Sequence, residues 1–236
     1  MLEQRNASRR DFVRAASAVG ATLLLGGCAT LKHTFGGKEE SEAGVTPAED
    51  LMREHGVLKR VLLIYGEALR RFDASQPMPA EPLADAAGIV RTFVEDYHEK
   101  LEEDELFPRF RKAGKLVDLV DVLTEQHKVG RRLTAATLKL ANDEGVASLP
   151  ERRVLASALR QFSRMYAPHM AREDTVLFPA IHEIVRPGEY DDLGDAFEKK
   201  EHELFGEGGF GAMVERVAAI EETLGIYDLK QFTPGG

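Results

Sequence analysis

Two segments of the chain share one frame with different filling: HEKLEEDELFP (98–108) and HMAREDTVLFP (169–179). Each sets a histidine, a glutamate four residues later and, after three more residues, Leu-Phe-Pro. The correspondence extends upstream. HGVLKRV begins at His55 and HKVGRRL at His127, and Leu51 and Leu123 each stand four residues before those histidines. A unit of the form H…HxxxE is thus written twice, 71 to 72 residues apart (His98 to His169, His55 to His127). Such a chain must fold as two copies of one supersecondary element. From Pro47 onward the apolar residues recur every three or four positions, the helical period, with no strand-like alternation. The spacing predicts helices over about 48–72, 83–111, 116–142 and 150–185. A further helix is expected over about 190–224, interrupted by GEGGFG at 206–211. Pro168 is expected to kink the fourth. The expected architecture is all-α: an up-down-up-down four-helix bundle over 48–236 with an additional C-terminal helix.

Residues four apart share one face of a helix. His98 and Glu102 can therefore serve one site together, as can His169 and Glu173. A solvated His–Glu surface pair would account for one HxxxE, but not for a second copy together with the matched histidines His55 and His127. Imidazole and carboxylate in combination suit iron, zinc or manganese, and a bundle interior is where such sites are built. Two carboxylates from repeated helices can bridge a pair of metal ions, with histidines in the terminal positions. Of the remaining histidines, His33 falls in a polar stretch and His182 on the far face of its helix. His202, in FEKKEHELFG, is the candidate for a further ligand if the glycine-rich break after it bends the helix back over the bundle. Tyr97 and Tyr166, close to the HxxxE histidines in sequence, are expected to pack in the core.

The chain carries a formal net charge of -9, and its first 27 residues carry +2, leaving -11 on the rest. Such an acidic body lacks the clustered Lys and Arg that bind a nucleic-acid backbone. A single cysteine, Cys28, rules out an intrachain disulfide and any Cys-rich zinc or iron–sulfur site. No nucleophile motif, phosphate-cradling glycine loop or HExxH is present. At the N-terminus, SRRDFVR (8–14) precedes a short apolar run, too short to span a bilayer, that ends in LGGC (25–28). SRRDFVR resembles a twin-arginine translocation motif and LGGC a bacterial lipobox. The resemblance implies a signal peptide over 1–27, export by the twin-arginine machinery as a folded and cofactor-loaded protein, and lipidation of Cys28. Residues 28–47 would then tether the bundle to the periplasmic side of the cell envelope.

The doubled H…HxxxE with paired Leu-Phe-Pro resembles the hemerythrin-like HHE cation-binding proteins. That resemblance implies a four-helix bundle holding a non-haem, oxo- or hydroxo-bridged di-iron centre. Carried over residue by residue, the ligand set is His55, His98, Glu102, His127, His169 and Glu173, with His202 as the fifth histidine. Two departures stand out. Where marine-worm hemerythrins place a histidine four residues after the third-helix ligand, this chain has Arg131. Where they place an Asp five residues after the last histidine, this chain has both Asp174 at that step, mirrored by Glu103 in the other repeat, and Glu173 with Glu102, which are preferred for their helical step of four. Ferritin-like di-iron proteins need paired ExxH motifs; Glu95 and His98 form one, but Tyr166 occupies the matching place before His169. The function implied is binding or sensing of O2 or NO at an open iron position. The alternatives are a di-iron enzyme reducing peroxide or NO, or an iron-handling or structural metal protein.

Overall fold

The computed structural model describes residues 45–234. The expected signal segment, Cys28, His33 and nearly all of the tether lie outside them. Among the described residues there is no strand, and no helix is long and apolar enough to cross a membrane.

Helix α1, Pro47–Asp73, opens with a reciprocal cap. Thr46 Oγ1 accepts from the Glu49 N–H (3.2 Å) and the Glu49 carboxylate accepts from the Thr46 N–H (3.4 Å). Pro47 supplies a first turn that needs no donor. Its inward stripe is Leu51, Glu54, His55, Leu58, Val61, Tyr65, Ala68 and Phe72. Two polar side chains thus sit on an otherwise apolar face, where only a site of their own can satisfy them. After a turn containing Pro77 and Pro79, α2 runs without a break over 80–113 and ends at Gly114. That glycine takes the left-handed conformation (φ 64°) that releases the last carbonyls. Helix α3 is Val117–Leu140, and α4 is a single-turn connector, Asp143–Ala147, capped by the Asn142 side chain. Helix α5, Leu149–Arg172, carries Pro168 inside it and continues through 173–183 in altered winding. The short connections make successive long helices antiparallel neighbours. Helix α5 packs on both α1 and α3, closing the bundle.

Among the described residues three stretches are π-helical: Val90–His98, Glu102–Leu106 and Glu173–Leu177. The last two are the repeated ones. A proline cannot donate to the residue four back, and its ring crowds that carbonyl. Ahead of Pro108 and Pro179 the chain widens instead, so the Phe107 N–H bonds Glu102 O and the Phe178 N–H bonds Glu173 O.

The C-terminal part is two helices, α6 (Pro187–Phe205) and α7 (Gly209–Leu224). The glycine break does turn the chain back. Gly206 (φ 67°) and Gly209 (φ 40°) adopt conformations that a side chain resists, and a Cβ at 209 would collide with Glu201. The Glu201 carboxylate accepts from the Phe210 N–H and so caps α7. What the turn delivers to the bundle is aromatic. Phe205 and Phe210 pack on Phe93, and Phe205 also meets Tyr97 edge-on, with ring centroids 5.4–6.5 Å apart.

Candidate metal centre

Six of the residues singled out by the repeat converge inside the bundle. His55, His98, Glu102, His127, His169 and Glu173 each expose no more than 4% of their surface, so the site is shielded from bulk water. The Nε2 atoms of His55 and His98 lie 3.1 Å apart. His55 Nε2 is 3.4 Å from one oxygen of Glu173, and His169 Nε2 is 3.0 Å from the other. Glu102 Oε2 lies 3.4 Å from His127 Nε2 and 3.8 Å from His98 Nε2. One atom each from Glu102, His127, His169 and Glu173 falls within a 4.8 Å sphere of mutual distances. Each glutamate therefore stands between imidazoles of both repeats.

Every imidazole is held from behind through Nδ1. His55 pairs with Asp174 (2.6 Å), His98 with Glu54 (2.7 Å), His127 with Glu103 (3.1 Å) and His169 with Gln126 (2.8 Å). An Nδ1–H donated outward leaves the Nε2 lone pair facing the centre, the tautomer a metal ligand needs. Two of the backing carboxylates are themselves held by cations. Asp174 meets Lys59 (2.8 Å), and Glu103 meets Arg131 (2.8 Å). Glu103 and Asp174 thus occupy the outer side of the imidazoles, while Glu102 and Glu173 occupy the inner.

The Leu-Phe-Pro phrases have a direct part in this geometry. Phe107 stacks on the His127 ring (5.5 Å, 21°) and Phe178 on the His55 ring (5.4 Å, 26°). Each repeat's phenylalanine, like its glutamate, serves the lone histidine of the other repeat, walling that side of the site with apolar surface.

The donor chemistry fits a cation. Both oxygens of Glu102, both of Glu173 and His127 Nε2 are fully buried and receive no hydrogen bond. Buried carboxylates left this way are costly unless a positive charge compensates them. Part of that charge can be protons. Burial opposes a charged His55, yet the Asp174 and Glu173 carboxylates outweigh it and raise its pKa to about 9. For His127 burial again opposes, and Glu102 and Glu103 raise it to about 10. Glu173 is held well below the usual carboxylate range, because His169 and His55 outweigh its burial. A metal ion at the same place competes with those protons.

His202 is not brought to this cluster. The buried stripe of α6 is Tyr190, Leu193, Phe197 and Glu201, and His202, one position round the helix, is exposed. The expectation of a fifth imidazole from α6 therefore fails: the residue turned inward there is Glu201, and it is engaged in capping α7. His182 is exposed, its ring 4.0 Å from that of Tyr190. Tyr166 does more than fill space. Its hydroxyl donates to Glu99 (2.5 Å), and Glu99 also pairs with Arg131 (2.8 Å). Gly130 makes room for it, since a Cβ there would collide with the Tyr166 hydroxyl.

A helical bundle with a buried His/Glu cluster repeated across its two halves defines a cation-binding four-helix protein. The hemerythrin HHE cation-binding domain model matches residues 46–181 and again 118–232, and the chain belongs to that family. The second match starts 72 residues after the first, the same offset that separates His55 from His127. The chain is 45% identical over 231 residues to uncharacterized protein Rv1995 of Mycobacterium tuberculosis (strain H37Rv) and to uncharacterized protein Mb2018 of Mycobacterium bovis. Each alignment covers 96% of this chain and 91% of the relative. No solved structure matches the chain.

Proposed function

We propose that the cluster holds two iron ions and binds or senses a small ligand such as O2 or NO. Glu102 and Glu173 would be shared between the ions, with His55 and His98 serving one and His127 and His169 the other. The observation that carries this reading is the convergence of four outward-anchored imidazoles on two buried carboxylates with no hydrogen-bond donor. Iron in such a donor set supplies reversible coordination of small diatomic molecules. The chain's own residues do the rest. Asp174, Glu54, Glu103 and Gln126 fix the imidazole tautomers, and Phe107 and Phe178 keep water from the His127 and His55 faces. Uptake of the ions releases the protons that His55 and His127 would otherwise hold.

Elemental analysis and an absorption spectrum of the full chain from iron-replete cells provide the test. About two irons per chain are expected, following the two-metal geometry. His98→Ala or Glu102→Ala should lose most of the metal, whereas His182→Ala and His202→Ala should keep it. Zinc in place of iron, with fewer than about one iron per chain, would refute the di-iron reading.

The N-terminal segments SRRDFVR and LGGC support export to the cell envelope and attachment through a lipid on Cys28. Cys28→Ser should then move the protein from the membrane fraction to the soluble fraction. A wild-type protein already wholly soluble would overturn the anchor.

A further inference from the structure

We infer that the two metal positions are inequivalent, and that Glu54 and Gln126 are the positioning residues that make them so. This rests on the two-metal reading above. The groups facing the centre are matched in the two repeats: His55 with His127, His98 with His169, and Glu102 with Glu173. Behind them the correspondence continues. Asp174 and Glu103 are both carboxylates on the Nδ1 of a lone histidine, and Lys59 and Arg131, each four residues after such a histidine, both hold that carboxylate. Phe178 and Phe107 cover the same two rings.

Among the groups hydrogen-bonded to the imidazoles, one pair breaks the match. The residue before each lone histidine reaches across to the HxxxE histidine of its own repeat. In the first repeat it is Glu54, 2.7 Å from His98 Nδ1; in the second it is Gln126, 2.8 Å from His169 Nδ1. The geometry is the same and the charge is not. Glu54 is also buried, whereas Gln126 is half-buried. A carboxylate accepting Nδ1–H makes the imidazole a stronger donor and places a negative charge behind it; an amide oxygen does neither. A second departure from symmetry, Glu99 where the other repeat has Met170, lies beside Glu103 with an oxygen within 4.8 Å of His127, but does not restore the balance. Its carboxylate is engaged by the Tyr166 hydroxyl and by Arg131.

The position served by His55 and His98 is therefore backed by two carboxylates, and the one served by His127 and His169 by a carboxylate and an amide. The first binds a divalent cation more tightly and fills first. The second fills last and empties first.

Titration of the metal-free full chain with cobalt(II), followed by its visible absorption, reads this directly. Wild type should take up two ions in two steps at least about tenfold apart, the usual effect of such a backing partner. Glu54→Gln should weaken the tighter step by about 10- to 100-fold and bring the two together. Gln126→Glu should strengthen the weaker step. The double variant Glu54→Gln/Gln126→Glu should separate the steps again, which a merely structural role for either residue would not do. Two bound ions with the same separation in wild type and in Gln126→Glu would overturn the proposal, whatever the folding of Glu54→Gln. Fewer than two ions in wild type would instead bring down the two-metal reading on which it stands.

Discussion

Glu95 lies on α2, one turn before His98, and is wholly buried, with Arg91 2.6 Å away. Burial raises its pKa to about 7, and the nearby Glu99 pushes the same way against Thr134, Arg91 and Arg131. A carboxyl with a raised folded pKa binds more protons in the folded state than in the unfolded one. Its favourable contribution is complete below the ordinary carboxylate range and is lost as pH rises through about 7. The loss is on the order of 3 kcal/mol for a shift of this size. Glu95→Gln should therefore flatten the decline in stability between pH 5 and pH 8, as measured by urea midpoints. A variant with the wild-type slope would show that Glu95 is already ionised at little cost. Such a residue cannot be picked out in a helix rich in acids, because what distinguishes it is burial. The repeated residues could be: His55, His98, Glu102, His127, His169 and Glu173 stand out because the chain writes them twice. Their backing partners share the repeat less visibly. Asp174 and Glu103 differ in type, as do Glu54 and Gln126, and each acts on a histidine of a different helix.

The helices illustrate what local physics can and cannot say. Their number and approximate extents follow from the apolar period, and the breaks from Pro77, Pro79, Gly114 and the glycines at 206 and 209. Leu-Phe-Pro looks like a core plug with a stop signal. Leu106, Phe107, Leu177 and Phe178 are indeed buried, but Pro108 does not stop α2. It widens the turn before it, and the widened turn begins at the glutamate facing the centre. The proline is legible and the widening follows from its missing donor. The π-helical stretch Val90–His98 has no proline behind it, and nothing in its sequence marks it. The glycine break after α6 is equally legible as a turn, and its cargo was not. Whether it would carry His202 or the Phe205/Phe210 pair to the bundle depended on which face of α6 turns inward.

At the scale of the molecule, the interior is unusually charged for a bundle of this size, with Glu54, Glu95, Glu99, Glu102 and Glu173 all buried along with four histidines. Charge that must be compensated ties folding to cation binding. An ion held at 100 times its dissociation constant adds about 2.7 kcal/mol to stability. For a domain of this length that corresponds to roughly 5–10 °C in Tm. Chelator-treated protein should melt lower by at least about that amount and recover on adding iron(II). An unchanged Tm would mean that protons alone satisfy the cluster. The residues alone point to an all-α fold built from two copies of one helix pair and equipped with two matched sets of imidazole and carboxylate. Those conclusions rest on period and repetition, which are one-dimensional. Packing adds the rest: each repeat's glutamate and phenylalanine serve the other repeat's histidine, His202 stays outside, and a carboxylate backs His98 where an amide backs His169. These depend on which helix faces lie against one another, and that is set by the packing of the whole bundle.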